Sequence, residues 1–247
     1  MASSSAPANL LGIKIFFSKE QITQEILKTL EHSKIKDAYI RIILTRGEGP
    51  ITLDPTSSFH NNLVIIVGQK PAHPKRYYEQ GMSLYLAETQ RNSIKSVDPN
   101  AKSGNYLNNV IALKEAKDYG ADDAIMLNAN KELTEGSNFN IWLIKDGVYY
   151  TPPVKSGLLA GITRAKVLEL IKRNKLPYSE QTLFKDNIFK SDEVFITSST
   201  RGVMPISKIN ENHFGSHMND WPNTLKVSKL YDELIKTQIS QGKYRYL

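Results

Sequence analysis

Four short stretches hold residue types that could act together. "PNAKSG" places Lys102 between a Pro99-Asn100 turn and a helix expected to begin near Asn105. A lysine there is ordinarily a solvated charge; held in a site, its amine is a nucleophile toward carbonyl carbon and a proton carrier. "LTEGSNFN" puts Glu135 in a short turn between two apolar strands. An acid in a turn is ordinarily solvated, the alternative being a fixed carboxylate at the floor of a sheet. In "LLAGITRAK", Gly161 and Ile162 precede a helix for which Thr163 reads as the N-cap. The first amides of a helix have no intrahelical acceptor and, with the dipole, attract anions, although almost every helix has such an end. "TSSTRG" (197–202) is a hydroxyl-rich turn after a strand. It is either an ordinary polar turn or the second half of a phosphate cradle.

The elements that must position these groups can be read from periodicity. "FSKEQITQEILKTLEHSK" is an amphipathic helix, with Ser18 and Gln21 at capping-box spacing and Ile22, Ile26, Leu27 and Leu30 on one face. "AYIRIILTRG" (38–47) and "LVIIVG" (63–68) read as strands around a Gly/Pro-rich loop. The Pro-dotted segment 69–81 reads as a linker, and "MSLYLAETQR" as the next strand. A helix from about Asn105 ends at Gly120, and "DAIMLNAN" follows as a buried strand. "FNIWLIKDGVYYTPP" is a hairpin turning on Asp146-Gly147. The helix "RAKVLELIKRN", the strands of "EVFITSSTRGVMPI" and a terminal helix over about 223–239 complete the chain. Strands and helices mix without regular βαβ alternation, so the fold class is α+β. The expected division is a small domain over 1–72, a linker over 73–81 and a larger domain over 82–247.

Composition narrows the function. At 247 residues, 40% apolar and 23% charged, the chain is an ordinary globular protein in make-up. It has no cysteine, which excludes thiolate chemistry and suits a reducing compartment; the expected location is the cytoplasm. The apolar runs are too short to span a bilayer, so no membrane association is expected, and the N-terminus lacks the basic start of a signal peptide. The net charge of +7 is spread among acidic residues without a basic stripe, and nucleic acid is not an expected partner. His213 and His217 lack a third ligand nearby, so no metal site is expected. Neither a Gly-rich dinucleotide motif, nor a P-loop, nor a Gly-x-Ser-x-Gly elbow is present.

A lysine, a carboxylate and a divided phosphate site are what pyridoxal phosphate requires. The wording of "KSGNYLNNVIALKEAKDYGADDAIMLN", "LTEGSNFNIWLIKDGVYYTPP", "LLAGITRAKVLEL" and "VFITSSTRGVMPI", in that order, resembles the class IV aminotransferases, the fold-type IV pyridoxal-phosphate enzymes. The resemblance runs over about residues 10–245. It implies a small α/β domain beside a larger β-barrel-like one, transamination between an amino acid and a 2-oxo acid, and a homodimer. By the same resemblance Lys102 is the Schiff-base lysine, Tyr106 lies near the cofactor's phenolic oxygen, and Glu135 faces the pyridine nitrogen. Ile162, Thr163, Ser199 and Thr200 are then the phosphate donors.

Substrate choice rests on finer likeness. "AYIR" resembles the branched-chain subgroup and implies Tyr39 and Arg41 in the substrate pocket; otherwise they are alternating residues of a strand. Ile51 and Leu53 stand where D-amino-acid transaminases have an Arg-x-His pair, and Thr52 where branched-chain enzymes commonly have glycine. Arg201 replaces a small residue and is a candidate ligand for a substrate carboxylate. D-amino-acid transaminases and aminodeoxychorismate lyases share the scaffold and remain alternatives. The family-like text starts at "ANLLGIKI", so the small domain is expected to be incomplete, without its first strands and a phosphate-gripping arginine. A truncated, non-catalytic relative is the rival from another class.

Overall fold

A computed structural model describes residues 6–58 and 60–241. It divides into two compact units, one built from the chain up to Ala72 with residues from Thr237 on, the other from His73 to Lys236.

In the first unit the short helix α1 (Ala6–Leu10) is followed by α2 (Lys19–Ser33) and a two-stranded antiparallel sheet of β1 (Ala38–Leu44) and β2 (Leu63–Gln69). Helix α2 starts with the expected capping box: the Gln21 N–H donates to Ser18 Oγ at 3.1 Å and the Ser18 N–H to Gln21 Oε1 at 2.7 Å. Neither strand contains a fully buried residue.

The second unit begins with α3 (Arg76–Glu79), one helical turn inside the Pro-dotted segment. Its tyrosines are anchored: Tyr77 donates to Asp122 at 2.8 Å and Tyr78 to the Arg201 carbonyl at 3.1 Å. Then come β3 (Met82–Leu86), α4 (Leu107–Tyr119), β4 (Asp123–Leu127), β5 (Leu133–Gly136), β6 (Asn140–Lys145), β7 (Val148–Thr151), α5 (Ile162–Arg173), β8 (Tyr178–Glu180), α6 (Lys185–Phe189), β9 (Glu193–Ser198), β10 (Gly202–Ile209), β11 (Asn212–His213) and α7 (Pro222–Ser240). The sheet runs β11-β10-β3-β4-β5-β6-β7-β8, and β9 bonds to both β6 and β10. Strands β10, β3, β4, β5, β6 and β9 therefore close on themselves as a barrel.

Strand periodicity sorts the side chains of this barrel. One alternating set, including Leu84, Ile125, Leu133, Ile141, Val194 and Met204, fills a single apolar cluster. On β6 and β9 the intervening Trp142 and Phe195 stack with ring centroids 5.5 Å apart and pack with Val167 and Ile171 of α5. On β4 the intervening Ala124 and Met126 pack with Ala112 and Ala116 of α4. The hairpin turns on Asp146 and Gly147, both at positive φ, as its composition requires.

The strand expected over 82–91 stops at Leu86. Beyond it the amides of Glu88 and Thr89 donate to the Glu115 carboxylate instead of to a neighbouring strand. The residue capping α5 is Gly161, in extended conformation, and Thr163 lies inside the first turn. Glu135, expected in a turn, is in β5 and pairs with Asn140. Tight return of the chain at 137–139 lets the ladder run further than the turn-like composition suggests.

Candidate active site

Within the second unit a cavity of about 240 Å³ is lined by Lys102, Tyr106, Glu135, Ile162, Thr163 and Ser199, among others. These residues come from five places in the chain. Lys102 follows a 3₁₀ turn (Pro99–Ala101) and holds φ 44°, ψ 43°, its N–H donating to the Pro99 carbonyl at 3.0 Å. Tyr106 immediately precedes α4 and is partly exposed. Ile162 and Thr163 open α5, whose N-terminus receives no side-chain cap. Those first amides are thus left for a ligand.

Glu135 is only 6% exposed. One carboxylate oxygen takes two contacts from Arg91, Nε at 3.1 Å and an Nη at 2.9 Å. The other accepts the Leu159 N–H at 2.9 Å, with Asn140 Nδ2 at 3.5 Å. Burial pushes its pKa above the ordinary range; Arg91, the Leu159 amide and Lys102 pull the other way. The Lys102 ammonium is thus felt by the buried acid. A cation facing Glu135 would favour its ionised form further.

Arg91 was not singled out by the sequence, since 44 residues separate it from Glu135. It is steadied by Asn108 and Asn109 of α4, whose side-chain oxygens accept from it at 3.1 and 3.2 Å. Two adjacent asparagines in a helix, where they are poor formers, were the available signal. Asn140, also missed, donates to the Leu159 carbonyl at 2.9 Å and approaches Gly161 so closely that a Cβ there would lie 2.1 Å from its Oδ1.

Of "TSSTRG", Thr197, Ser198 and Ser199 line the cavity, whereas Thr200 and Arg201 do not. The Arg201 guanidinium is engaged elsewhere, pairing with the buried Asp123 at 3.0 Å and bonding the Asn138 side chain. Tyr39 and Arg41 belong to the first unit, two residues apart on β1 and exposed, opposite Gly68 and Ile66 of β2. Among the described residues no group of three or more His, Asp or Glu could hold a metal ion. Nor is any helix among them long and apolar enough to cross a membrane.

The cavity suits a planar, anionic aldehyde. It offers an amine, a buried acid, an uncapped helix start and a hydroxyl turn. In its wall Ser137 Oγ is buried without a hydrogen-bond partner, a polar atom left over for a bound group.

Comparison with known proteins agrees with this chemistry. A family model described as amino-transferase class IV matches residues 3–209. The chain is 30% identical over 230 residues to the branched-chain-amino-acid aminotransferase of Pseudomonas aeruginosa, covering 92% of this chain and 74% of that protein. It is 31% identical over 212 residues to the D-alanine aminotransferase of Bacillus licheniformis, with coverage of 83% and 71%. Among solved structures, the T.th. branched-chain amino acid aminotransferase with pyridoxamine 5'-phosphate matches with a TM-score of 0.85 at 26% identity, over 92% of this chain and 74% of that one. The α+β fold with its barrel is thus shared with a fold-type IV enzyme.

Proposed function

We propose that this chain, which belongs to the amino-transferase class IV family, is a pyridoxal-phosphate-dependent aminotransferase exchanging an amino group between an L-branched-chain amino acid and a 2-oxo acid. The observation that carries the reading is the meeting of Lys102, Glu135 and the uncapped start of α5 in one cavity.

When bound, pyridoxal phosphate supplies an aldehyde carbon for the amino group and a ring that takes up the electron pair released at the substrate Cα. The chain's own residues do the rest. Ile162 and Thr163, with Ser199 from the second turn, would hold the phosphate at the helix start, while Thr200, expected beside Ser199, lies outside the cavity lining. Tyr106, which lines the cavity, would bound the ring's phenolic edge. Glu135, held by Arg91, would face the ring nitrogen and favour a proton there. Lys102 is the amine that would hold the aldehyde carbon in the resting protein, and that would carry a proton between the substrate Cα and that same carbon, across the amino nitrogen. Tyr39 and Arg41 are the proposed substrate contacts, on likeness to the branched-chain group. The pairing of Arg201 with Asp123 argues against its serving a substrate carboxylate directly.

The active form is proposed to be a cytoplasmic homodimer. An apolar stripe on α4 supports the dimer: Leu107 is 65% and Val110 57% exposed, with Ile111 beside them. Sedimentation of the purified chain tests it, and a monomer at working concentration would remove it.

The assignment is tested by absorbance with pyridoxal phosphate, alongside Lys102→Ala. The expected result is a visible band, absent from the variant, that an L-branched-chain amino acid discharges and a 2-oxo acid restores. Discharge by D-amino acids alone would favour the D-specific activity that the Bacillus licheniformis relative is named for. No band at saturating cofactor would leave a non-catalytic relative.

A further inference from the structure

The Pro99-Asn100 turn precedes Lys102, and its asparagine has no part in the chemistry above. Lys102 sits in the left-handed backbone region, which a residue with a side chain keeps only where its surroundings hold it. The surroundings here are specific. Asp98 caps the turn, its carboxylate accepting the Asn100 N–H at 2.8 Å and Asn100 Nδ2 at 2.9 Å. With its amide oriented this way, Asn100 Oδ1 accepts the N–H of Ala160, 60 residues on, at 2.9 Å.

Ala160 is the middle of a tripeptide that other site groups also grip. On one side Leu159 donates its N–H to Glu135 and accepts from Asn140. On the other side Gly161 opens α5. The lysine turn, the buried acid and the helix start therefore meet at residues 159–161.

We propose that Asn100 is a positioning residue: through the Ala160 amide it fixes the Lys102 turn at a set spacing from Glu135 and from the start of α5. The inference rests on the function proposed above, because the spacing matters only if Lys102 must reach a group that the other two hold. Asn100 is half-buried and belongs to none of the apolar core clusters, so its replacement leaves the packed core untouched.

The test uses the full chain, Asn100→Leu, which keeps the volume and removes the acceptor, and the swapped pair Asp98→Asn with Asn100→Asp. The swap preserves an acceptor for Ala160 and a donor–acceptor contact within the turn. Three quantities are read: the pH midpoint of the visible band formed with pyridoxal phosphate, kcat and KM for the amino donor, and the melting midpoint without cofactor. Asn100→Leu is expected to move the band's pH midpoint and lower kcat about tenfold, with KM within about twofold, as a small misplacement of the reacting amine requires. The swapped pair is expected to recover kcat to within about threefold. A lowered melting midpoint with unchanged band and kcat would overturn the inference, assigning Asn100 a merely structural role. A parent chain with no Lys102-dependent band would overturn the proposed function and this inference with it. A parent band matched by Asn100→Leu in every readout would overturn the inference alone.

Discussion

Two of the arginine–carboxylate pairs in the second unit are chemically alike and differently used. Arg91–Glu135 and Arg201–Asp123 are both largely buried, at 2.9 and 3.0 Å. Each arginine also bonds asparagine: Asn108 and Asn109 for Arg91, Asn138 for Arg201. The difference is what the acid faces. Asp123 meets Arg201 and the Ala124 N–H, and lies outside the cavity. Glu135 lines the cavity, where burial raises its pKa. The same pairing is thus a fastening in one place and a held, cavity-facing carboxyl group in the other. Identity of the residues does not separate the two cases; access to the cavity does.

The largest effect should treat both pairs alike. Arg91→Met and Arg201→Met each strand a buried carboxylate and should cost about 3–5 kcal/mol of stability, measured by urea unfolding. Equal losses would confirm that both are structural pairs; a much smaller loss for Arg91→Met would mean that the cavity solvates Glu135. Activity should then separate them. Glu135→Gln is expected to lower kcat about a hundredfold, whereas Asp123→Asn should leave it within about threefold, since only the former removes a charge held against the reacting group. Comparable losses in both would erase the distinction.

Gly161→Ala probes the region where Glu135's support meets the helix start. Its Cβ would fall 2.1 Å from Asn140 Oδ1. Displacing that amide should cost about 1–3 kcal/mol and weaken pyridoxal phosphate binding, read by equilibrium titration. Unchanged binding would show that Asn140 moves without disturbing Glu135 or α5.

The smallest effect is in pH dependence. Folded Glu135 keeps its proton to higher pH than the unfolded chain does, so stability should decline as pH rises from 4.5 through its raised value, then level off. Glu135→Gln should flatten that decline in the cofactor-free protein. Asp122 runs the opposite way. Burial works against its ionised form, but the Ser83 amide and the hydroxyls of Tyr77 and Ser83 outweigh it, holding its pKa low. Its contribution should be present above the ordinary aspartate range and vanish on acidification, and Asp122→Asn should remove that acid limb. A stability curve unchanged by Glu135→Gln between pH 4.5 and neutrality would mean that Glu135 is ionised throughout, as an acid dominated by its arginine would be.

Local devices were legible because they are closed within a few residues. The Ser18–Gln21 capping box, the Asp146-Gly147 turn and the terminal helix all stand where spacing put them. Lys102, Tyr106, Ile162, Thr163 and Ser199 were named from the chain and share one cavity. The readings that shifted depended on partners far away. Glu135 reads as a turn residue from its glycine and serine neighbours, yet ladder bonds to β4 and β6 make its segment a strand. Arg201 reads as a candidate ligand for a substrate carboxylate, whereas its guanidinium bonds Asp123, 78 residues earlier.

The order and types of the reacting residues, and with them the family, were determined by the sequence alone, because motifs such as "KSGNYL" and "GITR" are contiguous. Which arginine serves which acid, and which residue anchors the Lys102 turn, was decided only by tertiary structure. Those contacts cross 44, 78 and 60 positions, and the first two join segments that strand pairing brings together, β3-β4-β5 for Arg91 and Glu135 and β10-β3-β4 for Arg201 and Asp123. A charge's partner is set by distance in space, and no local pattern in the chain encodes a proximity that strand pairing creates.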